Sequence, residues 1–172
     1  KPRKIWFDET VQRLNVDARG ELLGEFKSDD NLLIIQQNGV LKTIKPGVNM
    51  HFPEDMIFLE KWIPEKPISA IYYNGQKDRY FIKRFFAGSQ NTEQKFIPEK
   101  SKIQLEMVST DWKPVIELSF SKSKNNQRDN EVKNIEELIA VKGIKAIGNQ
   151  LSSHKIKNIN QLEPIEYNPP EK

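Results

Sequence analysis

The chain has 172 residues, 37% hydrophobic and 30% charged, the size of one domain or a compact pair and the composition of a soluble, rather polar globular protein. It has no cysteine, which excludes a disulfide framework, a zinc finger and thiol catalysis and fits a reducing, cytoplasmic setting. Lys and Arg number 27 against 24 Asp and Glu, a formal net charge of +3, which is only a weak pull towards an anionic partner.

No apolar run approaches the ~18 residues that span a bilayer, so no membrane role is expected. The opening Lys1-Pro2-Arg3-Lys4 leads straight into Ile5-Trp6-Phe7 and charge, unlike a signal peptide. A chain that starts at Lys1 rather than Met is expected to be a piece of a longer one.

Lys4 to Phe7 is aromatic and β-branched, a strand pattern. Val11, Leu14 and Val16 hold no helical period. Ala18-Arg19-Gly20 makes a turn before Leu22-Leu23, and Lys27 to Asp30 is a polar loop. Leu32 to Lys45 then reads LLIIQQNGVLKTIK, two apolar runs around Asn38-Gly39. An Asn-Gly pair supplies positive φ at both central positions of a type I′ turn, so a hairpin is predicted.

Pro53 and Pro64 bound Glu54 to Lys61, a segment short for a helix and better read as a strand. Ile68 to Arg84, ISAIYYNGQKDRYFIKR, repeats the hairpin figure around Asn74-Gly75. On this reading Ala70 to Tyr73 aligns with Ile34 to Gln37, and Tyr80 to Lys83 with Lys42 to Lys45. Positions 38 and 74 are 36 residues apart, roughly the period of a propeller blade.

Gly88 to Thr92 is a loop. Lys102 to Ser109 and Val115 to Phe120 alternate apolar with polar residues, as half-buried strands do. Ser121 to Glu131 holds no apolar residue and is expected to be a mobile loop. Ile135 to Ile139 after Asn134 reads as an N-capped helical turn, with a strand over Leu138 to Val141 as the alternative. Pro164 to Lys172 is expected to be a disordered tail. Strands at short, regular spacing argue for an all-β sandwich, barrel or propeller-like array, whose hairpins must pack on one another.

Catalytic constellations do not appear. His51 and His154 stand far apart, and two histidines without cysteine make a poor metal set. No GxxxxGK[ST], GxGxxG or GxSxG motif stands in a suitable context. Glu54-Asp55, Glu136-Glu137 and Asp29-Asp30 are adjacent loop carboxylates rather than acid–base pairs.

The basic residues are more suggestive. Lys42 and Lys45 fall on the return strand of the first hairpin; Arg79, Lys83 and Arg84 fall on that of the second. Lys142, Lys145, Lys155 and Lys157 lie in a span, Val141 to Gln161, that has no acid. If the repeats stack, such cations line one edge and neutralise phosphates without reading bases. The alternative is scattered solubility charge among Glu54, Glu60, Glu65 and Asp78.

Taken together, Lys4 to Phe26 (KIWFDETVQRLNVDARGELLGEF), Asp30 to Lys42 (DNLLIIQQNGVLK), Glu60 to Phe85 (EKWIPEKPISAIYYNGQKDRYFIKRF) and Leu138 to Leu151 (LIAVKGIKAIGNQL) resemble, in collinear order, the C-terminal region of the A subunit of bacterial type IIA topoisomerases. The resemblance is to topoisomerase IV of the Bacteroidetes type, within the wider family that includes the corresponding part of DNA gyrase. It covers nearly the whole chain.

The resemblance implies an all-β β-pinwheel, a propeller-like disc of four-stranded blades that exchange strands with their neighbours. Three to four blades are expected, in an incomplete or open ring. The repeats lie near 4–45, 54–86 and 96–141, with a final segment at 142–163 and the tail at 164–172. In that family the basic rim binds and bends double-stranded DNA and presents it to the gate for ATP-dependent strand passage. The catalytic tyrosine and the ATPase lie elsewhere. The chain itself would then be no enzyme and hold no cofactor, the holoenzyme using ATP and Mg. Its partners would be DNA, the ATPase B subunit and the rest of the A subunit, in the cytoplasm and associated with the nucleoid.

The gyrase-type Q-R-R-G-G-x-G wrapping box is absent. Only Ala18-Arg19-Gly20 and its neighbours resemble it, which argues for weak, topoisomerase IV-like bending and adds Arg19 to the candidate DNA contacts. Val141 to Gly148 also resembles a helix-hairpin-helix, with Leu138 to Ala140 closing one helix and Asn149 to His154 extending the other, its turn offering backbone N–H groups to a phosphate. From another function class, a propeller-type protein-interaction module without nucleic-acid binding is the competing reading.

Overall fold

In the computed structural model, which describes residues 1–89, 91–125 and 127–171, strands dominate and are assembled by one rule. A hairpin lays down two strands, and a later strand returns to pair with the first of them. β1 (Arg3–Asp8) pairs with β2 (Arg13–Asn15) and then with β3 (Glu21–Phe26). β4 (Leu32–Gln36) pairs with β5 (Val40–Ile44) and then with β6 (Met56–Lys61). β7 (Ile68–Asn74) pairs with β8 (Arg79–Phe85) and, after β9 (Gln94–Lys95), with β10 (Ile103–Ser109). β11 (Val115–Phe120) pairs with β12 (Glu131–Asn134) and, after the four-residue helix α1 (Ile135–Leu138) and β13 (Asn149–Gln150), with β14 (Ile156–Leu162).

The two intervening strands complete the preceding sheets: β9 joins β5, and β13 joins β8. Among the described residues this gives four antiparallel sheets, ordered β2-β1-β3, β6-β4-β5-β9, β10-β7-β8-β13 and β12-β11-β14. The returning strand carries a bulge in every sheet: Leu23, Ile57, Glu106 and Lys157 are each skipped in the pairing, opposite the same step of β4 and β7 and near the middle or end of β1 and β11. A bulge re-aims a strand and increases its twist, so its recurrence fits copies of one unit.

The chain divides into two compact units, residues 1–64 with 87–96 and residues 65–86 with 97–172. The first has a core of Ile5, Phe7, Leu14, Phe26 and Leu32. The second is built on Ile71, Ile82, Ile116, Leu118, Phe120 and Ile135. Among the described residues no helix is long and apolar enough to cross a membrane.

The hairpins form where the sequence places them, with different tips. Gly39 N–H donates to Gln36 O at 3.0 Å, so the turn centres on Gln37-Asn38, and only Gly39, φ 84°, is left-handed. The type I′ expectation is corrected: a turn followed by a left-handed glycine needs one positive φ, not two. In the second hairpin Asn74 pairs with Arg79, and Asn74 Oδ1 accepts the N–H groups of Gln76 and Lys77. There the positive φ belongs to Asp78 at 53°.

The longer tip also corrects the alignment of the return strands. Taking the bulges as reference, Ile35 is equivalent to Ile71, and their partners are Leu41 and Ile82. Lys42 therefore matches Lys83, and Thr43 matches Arg84.

The helical turn after Asn134 forms, without a side-chain cap hydrogen bond. The helix-hairpin-helix is overturned. α1 ends at Leu138, residues 139–148 have no regular structure, and Asn149–Gln150 is a strand on β8 where a second helix was required. The loops expected at 88–92 and 121–131 include Gln90 and Asn126, which lie outside the described residues, as does Lys172 of the tail. In that tail Ile165 N–H donates to Lys113 O at 3.0 Å, and the Tyr167 ring packs 5.3 Å from that of Trp112.

Candidate nucleic-acid interface

In the second unit, β8 runs Arg-Tyr-Phe-Ile-Lys-Arg-Phe between β7 and β13, and its last five residues are buried. Lys83 and Arg84 are 3% and 4% exposed. They are therefore not surface contacts for a duplex, and that expectation is corrected. A strand paired on both edges and covered on both faces buries both of its side-chain sets, cations included.

Buried cations need partners, and these two have them. Lys83 Nζ donates to Ile144 O at 2.7 Å and to Ala146 O at 2.6 Å, and lies 5.2 Å from the centre of the Phe85 ring. Arg84 Nε donates to Ser69 Oγ at 3.1 Å, and its Nη2 to Trp112 O at 2.9 Å. Burial, then the charge of Lys145, lowers the Lys83 ammonium to about 8. Burial also lowers Arg84, with Glu136 pulling the other way.

What the hairpin holds is the irregular segment 139–148. Lys142 N–H donates to Arg84 O at 2.9 Å, and Tyr72 Oη donates to Ile147 O at 2.7 Å. Gly148, φ +91°, lies so close to β8 that an added Cβ would stand 2.3 Å from Ile82 O. The segment is thus fastened to a β-hairpin at Lys142, Ile144, Ala146 and Ile147. Lys142 and Lys145 stay exposed on it, and Lys142 lines a cleft of about 440 Å³. Sequence reasoning missed Tyr72, whose phenol is pushed up to about 12 by burial; a strand tyrosine gives no sign of which carbonyl it reaches.

Arg79 and Lys155 line a second cleft of about 440 Å³ in this unit, with His154, Tyr73, Tyr80 and the carboxylate of Asp78, which accepts the Tyr73 hydroxyl. Arg79 Nη1 donates to Gln150 Oε1 at 3.1 Å. Lys157, the bulge residue of β14, is exposed.

In the first unit, Lys45 Nζ donates to Ser28 O at 2.9 Å. It lines a cleft of about 320 Å³ with Lys1, Arg3 and Lys27. The carboxylate there, Asp30, accepts Lys27 N–H at 2.7 Å and pairs with Lys61 at 3.5 Å, which leaves the cleft cationic. The sequence reading missed Lys1, Arg3 and Lys27. The cationic start was legible, but only the pairing of Arg3 with Phe26 brings it beside Lys27. Lys42 is half-buried on β5. Arg19 pairs with Asp17 at 3.4 Å with both side chains more than 60% exposed, an ion pair worth little.

Ammonium groups on a fixed segment, with few carboxylates among them, are suited to phosphate oxygens and carry no code for bases. Among the described residues no three His, Asp or Glu side chains gather where they could hold a metal ion.

Fold and site together define an all-β module with cationic surface segments. The chain matches the family model of the topoisomerase C-terminal domain of Bacteroidota over residues 13–163, and it belongs to that family. No curated protein and no solved structure matches the chain significantly.

Proposed function

We propose that this chain binds and bends double-stranded DNA as the C-terminal domain of a topoisomerase IV-like A subunit, its four sheets acting as strand-exchanging blades of an incomplete pinwheel. The observation that carries the reading is the segment 139–148, which keeps Lys142 and Lys145 exposed while four hydrogen bonds fix its backbone. Arg79 and Lys155 of the second cleft, with exposed Lys157, add further cations in the second unit; Lys45, with Lys1, Arg3 and Lys27, supplies a cluster in the first, and Lys42 and Arg19 are minor contributors. With the backbone already ordered, only the lysine side chains lose freedom when they meet a phosphate. The domain presents the bound segment to the gate of the holoenzyme, in the cytoplasm. Cleavage and ATP turnover with Mg belong to the ATPase subunit and to the rest of the A subunit.

The test is binding of a short blunt duplex of mixed sequence across a salt series. The reading predicts affinity that falls steeply with salt, the logarithmic slope being about −0.9 per phosphate neutralised, with little dependence on sequence. Absence of binding at low salt would favour a protein-interaction module instead.

A further inference from the structure

The first unit carries a groove whose chemistry is opposite to that of the cationic clefts. The sheet orders place β3 and β6 at sheet edges, each hydrogen-bonded to a neighbour strand on one side only among the described residues. The two edges converge at one end, where Lys61 Nζ donates to Glu25 O at 2.7 Å and the Lys61 stem lies 3.6 Å from the position of a Cβ on Gly24. Beside this end a groove of about 720 Å³ is lined by Glu21 and Leu23 of β3 and by Met56–Glu60 of β6.

The groove is floored by Phe7 and Phe52, whose rings meet edge to face at 5.2 Å, and by Leu23, Met56 and Phe58. Its rim carries Glu9, Glu21, Glu54 and Glu60, and no Lys or Arg lines it among the described residues. Ile57, the bulge residue of β6, is 40% exposed beside it. DNA is repelled by such a rim. An open strand edge offers backbone hydrogen bonds to an added strand, and pockets beside it select alternate side chains. The exposed carboxylates of Glu9, Glu21 and Glu54 around an aromatic floor add a requirement for cationic flanks.

We propose that this groove is a protein-docking site, which takes an extended segment of a partner protein bearing alternating apolar and lysine or arginine residues, added as a strand at β3 or β6. The groove shares no lining residue with the cationic cleft of the same unit, and its charge is of the other sign.

The probe is a synthetic peptide of alternating valine and lysine, compared with one in which glutamate replaces each lysine. Amide shifts of the full chain are followed by NMR, and affinity by fluorescence anisotropy. The proposal predicts shifts concentrated in Glu21–Phe26 and Met56–Lys61, and affinity reduced about tenfold or more by Glu21→Lys with Glu54→Lys. Both substituted residues are exposed, so an unchanged melting curve is expected of the variant. Equal binding of the glutamate peptide, shifts confined to other strands, or no binding would each overturn it. Sedimentation showing self-association that the same charge reversal abolishes would overturn it in favour of a second copy. Displacement of the peptide by duplex DNA would also contradict it.

Discussion

Lys83 is the residue whose meaning changes most between sequence and structure. In the sequence it is one cation of a basic return strand; in the fold its ammonium is the fastening of another segment. Lys83→Met leaves the carbonyls of Ile144 and Ala146 unpaired, at a cost of about 1–3 kcal/mol each where they stay buried. It also removes a pH dependence. The folded chain releases the Lys83 proton near pH 8, before the unfolded chain does near 10.5. In that window the unfolded state binds more protons, so this group makes stability rise with pH. Tyr72 acts in the opposite sense: its folded value near 12 exceeds the unfolded 10.0, so stability falls as pH rises above 10. Denaturant titrations at pH 7.5 and 9.5 should show a gain in the wild type, set against other titrating groups, that Lys83→Met lacks; an identical pH response in both would refute the assignment.

At the scale of elements, the seating of β13 on β8 depends on the approach of Gly148. Gly148→Ala puts a methyl group 2.3 Å from Ile82 O at a φ of +91°, and should cost about 1–3 kcal/mol. Amide exchange should then report early opening of 139–150; full protection there would contradict the packing. The strands themselves were legible, because alternation and Asn-Gly pairs are local signals: Val115 to Phe120 and the two hairpins lie where their patterns put them. Register was not legible. The second tip encloses residues 72–81 between equivalent positions where the first encloses 36–40, and tip length shifts every residue after it. The return of β9 and β13 to earlier sheets was also hidden, since each pairs two residues across a long separation. The segment 141–148 allowed a helical hairpin as a second reading because glycine spacing says nothing of what the backbone bonds to.

For the molecule as a whole, four sheets share one construction, a hairpin whose first strand is paired again by a later, bulged strand. Family membership was legible from collinear stretches, and the family model matches residues 13–163, which hold all but the start of the first of them. Which cations face solvent was not, because burial is decided by strands far away in the chain: Lys83 and Lys142 look alike until β13 and segment 139–148 close over the former. The net charge of +3 understates the contrast within the surface, cationic at Lys142 and Lys145 and anionic at Glu21 and Glu54.

The most direct measurement is the salt dependence of duplex affinity for the wild type beside a variant with Lys142, Lys145, Lys155 and Lys157 changed to Gln. The account predicts weaker binding on every sequence tested and a salt slope shallower by about 0.9 for each phosphate no longer neutralised. A variant that keeps the wild-type slope and affinity would show that the duplex, if bound, lies on another face.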